Sequence, residues 1–132
     1  TQKAYGNSVT VNEPDVRNIV DIPSDYWDVF HKGMRAVVEN KSYFNDINVK
    51  VAGKTGTAQQ TTSRPSHALF VSYAPYENPE IGMAVRIPFG YSSDYAAQLA
   101  RDVYKYYFDL VNEEDLIDGT ADSPDGGITN EL

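Results

Sequence analysis

Lys54-Thr55-Gly56-Thr57, with Gly53 ahead of it, sets one cation, two hydroxyls and an accessible backbone in consecutive positions. Thr55 and Thr57 are two residues apart, so in a strand both hydroxyls point to one side. Lys54 is a compact positive charge, and Gly56 leaves space for a ligand backbone to come close. Two hydroxyls and a cation suit a terminal carboxylate. A strand edge adds unpaired N–H groups along which an extended peptide can lie. The bland alternative is a polar strand end followed by a turn. A phosphate loop is a third reading, but it needs Gly-x-x-x-x-Gly-Lys-[Ser/Thr] between a strand and a helix. Asn48 stands where its first glycine belongs, and Ala58-Gln59-Gln60-Thr61-Thr62 does not begin a convincing helix.

The elements around this segment are legible from periodicity. Ile47, Val49 and Val51 alternate with Asn48, Lys50 and Ala52, which predicts a half-buried strand running into the motif. Residues 60–66 form a loop. His67 to Ala74 is nearly continuous apolar chain of strand length, as in a central strand. Pro75-Tyr76-Glu77-Asn78-Pro79 is a turn signal. Ile81 to Ile87 is a third strand, bounded by Pro88 and Gly90. Short links favour antiparallel neighbours.

Upstream, residues 1–13 read as a loop or a cut-off end. Val16, Ile19, Val20 and Ile22 suggest a short extended segment ending at Pro23. Ser24 is placed as the N-cap of a helix whose inner face is Trp27, Phe30, Met34, Val37 and Val38. Gly33 in that helix reads as a mark of close packing. Residues 39–46 form a loop. Ser93 is placed as the cap of a second helix, with Ala96, Leu99, Ala100, Val103, Tyr107 and Leu110 facing inward. The expected fold is α+β: a helix, a three-stranded antiparallel sheet and a helix, with helices on one sheet face.

The chain has 132 residues, enough for one domain, and no cysteine, which excludes a disulfide framework, a zinc-thiolate site and a Cys nucleophile. Its net charge of −8 is unevenly placed. All Lys and Arg lie between Lys3 and Lys105, and eleven acids between Glu13 and Asp102 balance them. The remaining acids fall in residues 109–132. Beyond Val111 little can be buried, so residues 111–132 read as an acidic, disordered, solubilising tail. No basic stripe marks a nucleic-acid surface. No apolar run nears the length of a membrane span, and no signal peptide is visible at Thr1. His31 is expected to be solvated and His67 structural. Two isolated histidines make no metal case, and no cofactor is implied. The aromatic run Tyr104, Tyr106 and Tyr107 is assigned to packing.

Val51-Ala52-Gly53-Lys54-Thr55-Gly56-Thr57-Ala58-Gln59 resembles the Lys-Thr-Gly motif of penicillin-binding protein transpeptidase domains. His67 to Pro75 is similar to the strand that follows it in that family, and Asn78-Pro79-Glu80-Ile81 to the turn after. Tyr26-Trp27, Gly33-Met34 and Val37-Val38 resemble the helix that precedes the motif in class B enzymes. The likeness covers roughly residues 14–110. It implies a partial β-lactamase/transpeptidase-like fold, with residues 1–110 the C-terminal portion of the domain. It further implies a membrane-anchored parent that cross-links peptidoglycan stem peptides by serine acyl transfer outside the cytoplasmic membrane. In that picture Lys54 supplies positive potential. Thr55 and Thr57 hold the carboxylate of a D-Ala-D-Ala peptide or a β-lactam, with Gly56 between them. The Thr57 N–H is one of two oxyanion donors. The implied partners are the rest of the transpeptidase domain and cell-wall synthesis proteins.

The sequence departs from the family pattern at one point. Ser8, Ser24, Ser42, Ser63, Ser66, Ser72, Ser92, Ser93 and Ser123 have neither Lys at +3 nor Asn at +2, so the Ser-x-x-Lys nucleophile and the Ser-x-Asn motif are absent. In the family both precede the Lys-Thr-Gly strand, and the chain is expected to start after them. A covalent acyl-enzyme needs its nucleophile, so this chain by itself is expected to be inactive. A non-catalytic peptide-carboxylate binding module and a β-lactam sensor domain would carry the same strand.

Overall fold

The computed structural model describes all of residues 15–116 and, before them, the backbone of two short strands. Those strands, β1 (Gln2–Tyr5) and β2 (Ser8–Val11), pair antiparallel where a loop was expected. Residues 15–23 are irregular, and Val16, Ile19 and Val20 lie exposed, so no extended strand forms there. The main sheet is β3 (Ala52–Ala58), β4 (His67–Ala74) and β5 (Ile81–Ile87), antiparallel in that order, with β4 central as its apolar run predicts.

Register explains which face becomes the core. Ala68, Phe70, Ser72 and Ala74 of β4 stand opposite Ile87, Val85, Met83 and Ile81 of β5. Directly opposed residues share a face, and this one is covered by α2 (Ser93–Tyr107). The helix meets the sheet through Ala96, Ala97, Ala100 and Tyr104, all fully buried. Leu99, Val103 and Tyr107, expected inward, face out. The sheet already presents Phe70, and small alanines let the helix backbone approach it closely. The alanine stripe therefore docks and the larger stripe does not. The helix is capped one residue earlier than expected: the Ser92 hydroxyl accepts the Asp94 N–H at 3.2 Å.

The first helix, α1 (Ser24–Glu39), overhangs the sheet. Trp27 and Phe30, expected inward, are 40% and 57% exposed, and only Val38 is fully buried. Contacts with the sheet begin at mid-helix with His31 against Tyr73, and further along Arg35 Nη1 donates to the Val51 carbonyl at 2.8 Å. Ser24 is already helical and its side chain caps nothing; Pro23 precedes it. A Cβ on Gly33 would meet no atom within 4 Å, so this glycine marks no close packing within the described residues.

Between α1 and β3 the chain makes a 3-10 turn at Ser42–Phe44 and then an irregular stretch through Val51. Ile47 and Val51 are buried as expected, but not within a strand, because β3 starts at Ala52. Alternate burial of an irregular connector leaves the same sequence pattern as a strand. Phe44 meets Phe70 with ring centroids 6.2 Å apart. This connector is tied to α2 by Lys41 Nζ and the Tyr43 hydroxyl, which donate to Asp94 Oδ1 at 2.6 and 2.9 Å. Arg101 Nη1 donates to the Tyr43 carbonyl, and Lys105 pairs with Asp46. After α2 a four-residue helix, α3 (Glu113–Leu116), follows. The rest of the expected acidic tail, residues 117–132, lies outside the described residues.

Candidate functional site

Lys54 to Thr57 lies in the middle of β3, which is a sheet edge: β4 pairs with one side and no described strand with the other. Thr55 stands opposite Phe70 and Thr57 opposite Ala68, so both hydroxyls project on the α2 side of the sheet. Lys54, Gly56 and Ala58 stand opposite Val71, Leu69 and His67 on the other face. Cation and hydroxyls thus flank the edge from opposite faces rather than sharing one. Lys54 Nζ donates to the carbonyl of the next residue, Thr55, at 2.6 Å.

The phase of the ladder decides which N–H groups are open. In an antiparallel pair the backbone groups of alternate residues point toward the partner and away from it. The Val71 carbonyl points at β3, since it lies 3.0 Å from where a Gly53 Cβ would stand. Val71 opposes Lys54, so Lys54, Gly56 and Ala58 are the residues turned toward β4. The Ser72 carbonyl points toward Gly82 of β5, in keeping with that phase. Thr55 and Thr57 therefore turn their N–H and C=O groups to the open edge, and the bond from Lys54 to the Thr55 carbonyl fits.

The two motif glycines differ in kind. A Cβ at Gly53 would stand 2.4 Å from the Phe70 ring, so packing requires glycine there. A Cβ at Gly56 would meet Leu69 at 3.5 Å, an ordinary contact. Gly56 is not demanded by the fold and leaves the edge clear. Neither the cavity of about 60 Å³ beneath α1 nor the groove beside Leu99 and Tyr106 includes any of these residues. The strand is an open rim rather than a closed pocket.

Residues that spacing did not connect gather just past the strand. His67 is buried, as a structural histidine should be. Its Nδ1 accepts the Phe89 N–H at 3.0 Å, and its Nε2 lies 3.0 Å from Gln60 Oε1 and 3.4 Å from Arg86 Nη2. The Arg64 guanidinium lies over the Phe89 ring, 5.0 Å from its centroid. No local signal could show this, because the partners come from three separate segments. His31, expected to be solvated, is half-buried with Nδ1 2.8 Å from the Tyr73 hydroxyl. Burial, reinforced by Tyr76 nearby, raises that phenol above its ordinary range.

The profile of the penicillin binding protein transpeptidase domain matches residues 2–105. The chain belongs to this transpeptidase-domain family. Among curated relatives, penicillin-binding protein 2A of Bacillus subtilis is 30% identical over 131 residues, covering 86% of this chain and 18% of the relative. The peptidoglycan D,D-transpeptidase MrdA of Haemophilus influenzae is 36% identical over 101 residues, covering 61% and 16%. The chain thus spans less than a fifth of the length of these penicillin-binding proteins. Among solved structures, Pseudomonas aeruginosa PBP2 in complex with WCK 5153 superposes with a TM-score of 0.62 at 31% identity, covering 81% of this chain and 25% of that one. The ceftriaxone acyl-enzyme complex of penicillin-binding protein A from M. tuberculosis gives 0.51 at 25%, covering 57% and 19%. The three-stranded antiparallel sheet with its helices is a partial transpeptidase fold, and the PBP2 and MrdA relatives are class B penicillin-binding proteins.

Proposed function

We propose that residues 1–110 form the C-terminal portion of a class B D,D-transpeptidase domain that cross-links peptidoglycan stem peptides and is acylated by β-lactams. The observation that carries this is the phase of the edge strand: the Thr55 and Thr57 N–H groups face outward beside two hydroxyls on one face. A stem peptide lies along this edge as an added strand. The two hydroxyls bind its terminal carboxylate, and Lys54 raises the local positive potential. The Thr57 N–H donates to the oxyanion formed when a serine Oγ attacks the penultimate D-Ala carbonyl. Collapse of that intermediate expels the terminal D-Ala and leaves an acyl-enzyme, which an amine of a second stem peptide then resolves. A donor of this kind contributes about 2.7–4 kcal/mol to the transition state.

The serine and its activating lysine belong to the rest of a longer protein, which also supplies the second oxyanion donor. That protein works on the outer face of the bacterial cytoplasmic membrane, alongside other cell-wall synthesis proteins. Among the described residues no helix is long and apolar enough to cross a membrane. Beyond Leu110 the sequence carries acidic side chains and no Lys or Arg.

Fluorescent penicillin tests the reading. The full-length protein becomes covalently labelled and the 132-residue chain does not. A full-length protein that resists labelling would overturn the assignment, and labelling of the chain itself would overturn its inactivity.

A further inference from the structure

Past Ala58 the edge strand loses its ladder, because Ala58 and His67 are the last paired residues of β3 and β4. Thr57, whose N–H carries the oxyanion role, is one residue from that end. We infer that His67 is a positioning residue that extends the hold on the edge strand beyond the ladder, through Gln60, and so keeps the Thr57 N–H in place; the inference rests on the transpeptidase reading above.

The chemistry of the ring sets its direction. The Phe89 N–H can only donate, so Nδ1 is the acceptor and carries no hydrogen. In the neutral ring the hydrogen is then on Nε2, which donates to Gln60 Oε1. One imidazole therefore ties residue 60, just after the edge strand, to residue 89, just after β5. The anchor at residue 89 is itself rigid. Phe89 sits at φ 53°, and its ring packs on His67 with centroids 4.7 Å apart. Gly90 beside it has no room for a Cβ, which would stand 2.8 Å from Ile87. Arg64 over Phe89 holds the far end of the same loop. The loop from Gln59 to Ser66 is thus fastened at both ends to the turn after β5. That turn packs on the buried face through Ile87 and Ala68.

Gln60 is the useful handle, because it is exposed and its replacement leaves the buried ring and its bond to Phe89 untouched. Gln60→Ala removes the acceptor, whereas Gln60→Glu keeps one. In this chain, hydrogen exchange of the Ala58 amide, which points to β4, is measured against Val85 in β5. Gln60→Ala is expected to speed Ala58 exchange roughly tenfold with Val85 unchanged, and Gln60→Glu to stay near wild type, since local openings differ in cost across a fold. In the full-length protein, acylation by fluorescent penicillin is resolved into a binding step and a chemical step. Gln60→Ala is expected to slow the chemical step roughly tenfold with little change in binding, because the oxyanion donor acts in the transition state alone. Unchanged Ala58 exchange in Gln60→Ala, or exchange in Gln60→Glu as fast as in Gln60→Ala, overturns the inference. So does an unchanged chemical rate in a labelled protein. If the wild-type full-length protein is not labelled at all, the transpeptidase reading falls, and the exchange measurement alone decides the clasp.

Discussion

At the scale of single residues, Gly56 separates folding from binding. Its Cα has ordinary room for a methyl group, 3.5 Å from Leu69, whereas Gly53 has none against Phe70. Gly56→Ala should fold with an unchanged melting temperature in this chain and lower the acylation rate of the full-length protein. Gly53→Ala should instead cost about 1–3 kcal/mol, because the edge strand or the Phe70 ring must shift. Urea unfolding of the two variants side by side checks the contrast. A second residue pair guards the core. The Ser72 and Tyr104 hydroxyls meet at 2.8 Å, and both residues are buried. Burial raises the Tyr104 phenol above its ordinary range, and the Ser72 bond opposes that rise. Tyr104→Phe leaves the Ser72 hydroxyl without its partner and should cost about 1–3 kcal/mol. Adding Ser72→Ala should return part of the loss in a double-mutant cycle.

At the scale of elements, the two helices dock by different rules. The alanines of α2 bring its backbone close to Phe70, while α1 touches the sheet mainly in its second half. Gly33 lies on the exposed side of α1 with nothing near it. Gly33→Ala should therefore stabilise this chain by roughly 0.5–1 kcal/mol through helix propensity alone. Thermal unfolding by circular dichroism reads the shift, and a loss of stability would show that the glycine is packed after all. The exposed Trp27 and Phe30 on α1, with Val71 on the uncovered sheet face, are the surfaces that the longer transpeptidase domain would cover in the proposed reading.

At the scale of the whole molecule, the pair of Lys41 and Asp94 is one of two ionic joints that fasten the connector before β3 to α2. Burial alone would raise the Asp94 carboxyl, but hydrogen bonds from Lys41 and Tyr43 and the Lys41 charge outweigh it and hold the group below its ordinary value of 3.8. A depressed carboxylate contributes stability that is present above the ordinary value and lost as pH falls through the lower folded value. Acid unfolding below about pH 4 should thus be shallower in Asp94→Asn than in the wild-type chain. Tyr43 moves the other way: burial first, then its bond to Asp94 and that group's charge, push its phenol well above 10. Its contribution is present below the ordinary phenol value and is lost as pH rises beyond it. Urea midpoints measured from pH 2.5 to 11 test both limbs, and Tyr43→Phe should flatten the alkaline one.

The sequence by itself determined the elements with strong local patterns. His67–Ala74 and Ile81–Ile87 stand where periodicity and flanking prolines put them, and the Lys-Thr-Gly strand was recognisable from its residue order. Short-range signals suffice there because alternation and turn chemistry are local. Three things were decided only by tertiary structure. The connector through Ile47 and Val51 is irregular although its pattern is that of a strand, because burial of every second residue does not require a ladder. The docked stripe of α2 is its alanines, because the opposing sheet face already carries Phe70. The open N–H groups of Thr55 and Thr57 depend on the phase set by the pairing of Lys54 with Val71, a partner seventeen residues away. Residue types named the chemistry of the strand; which of its backbone groups stayed open was set by register, which only a second strand can supply.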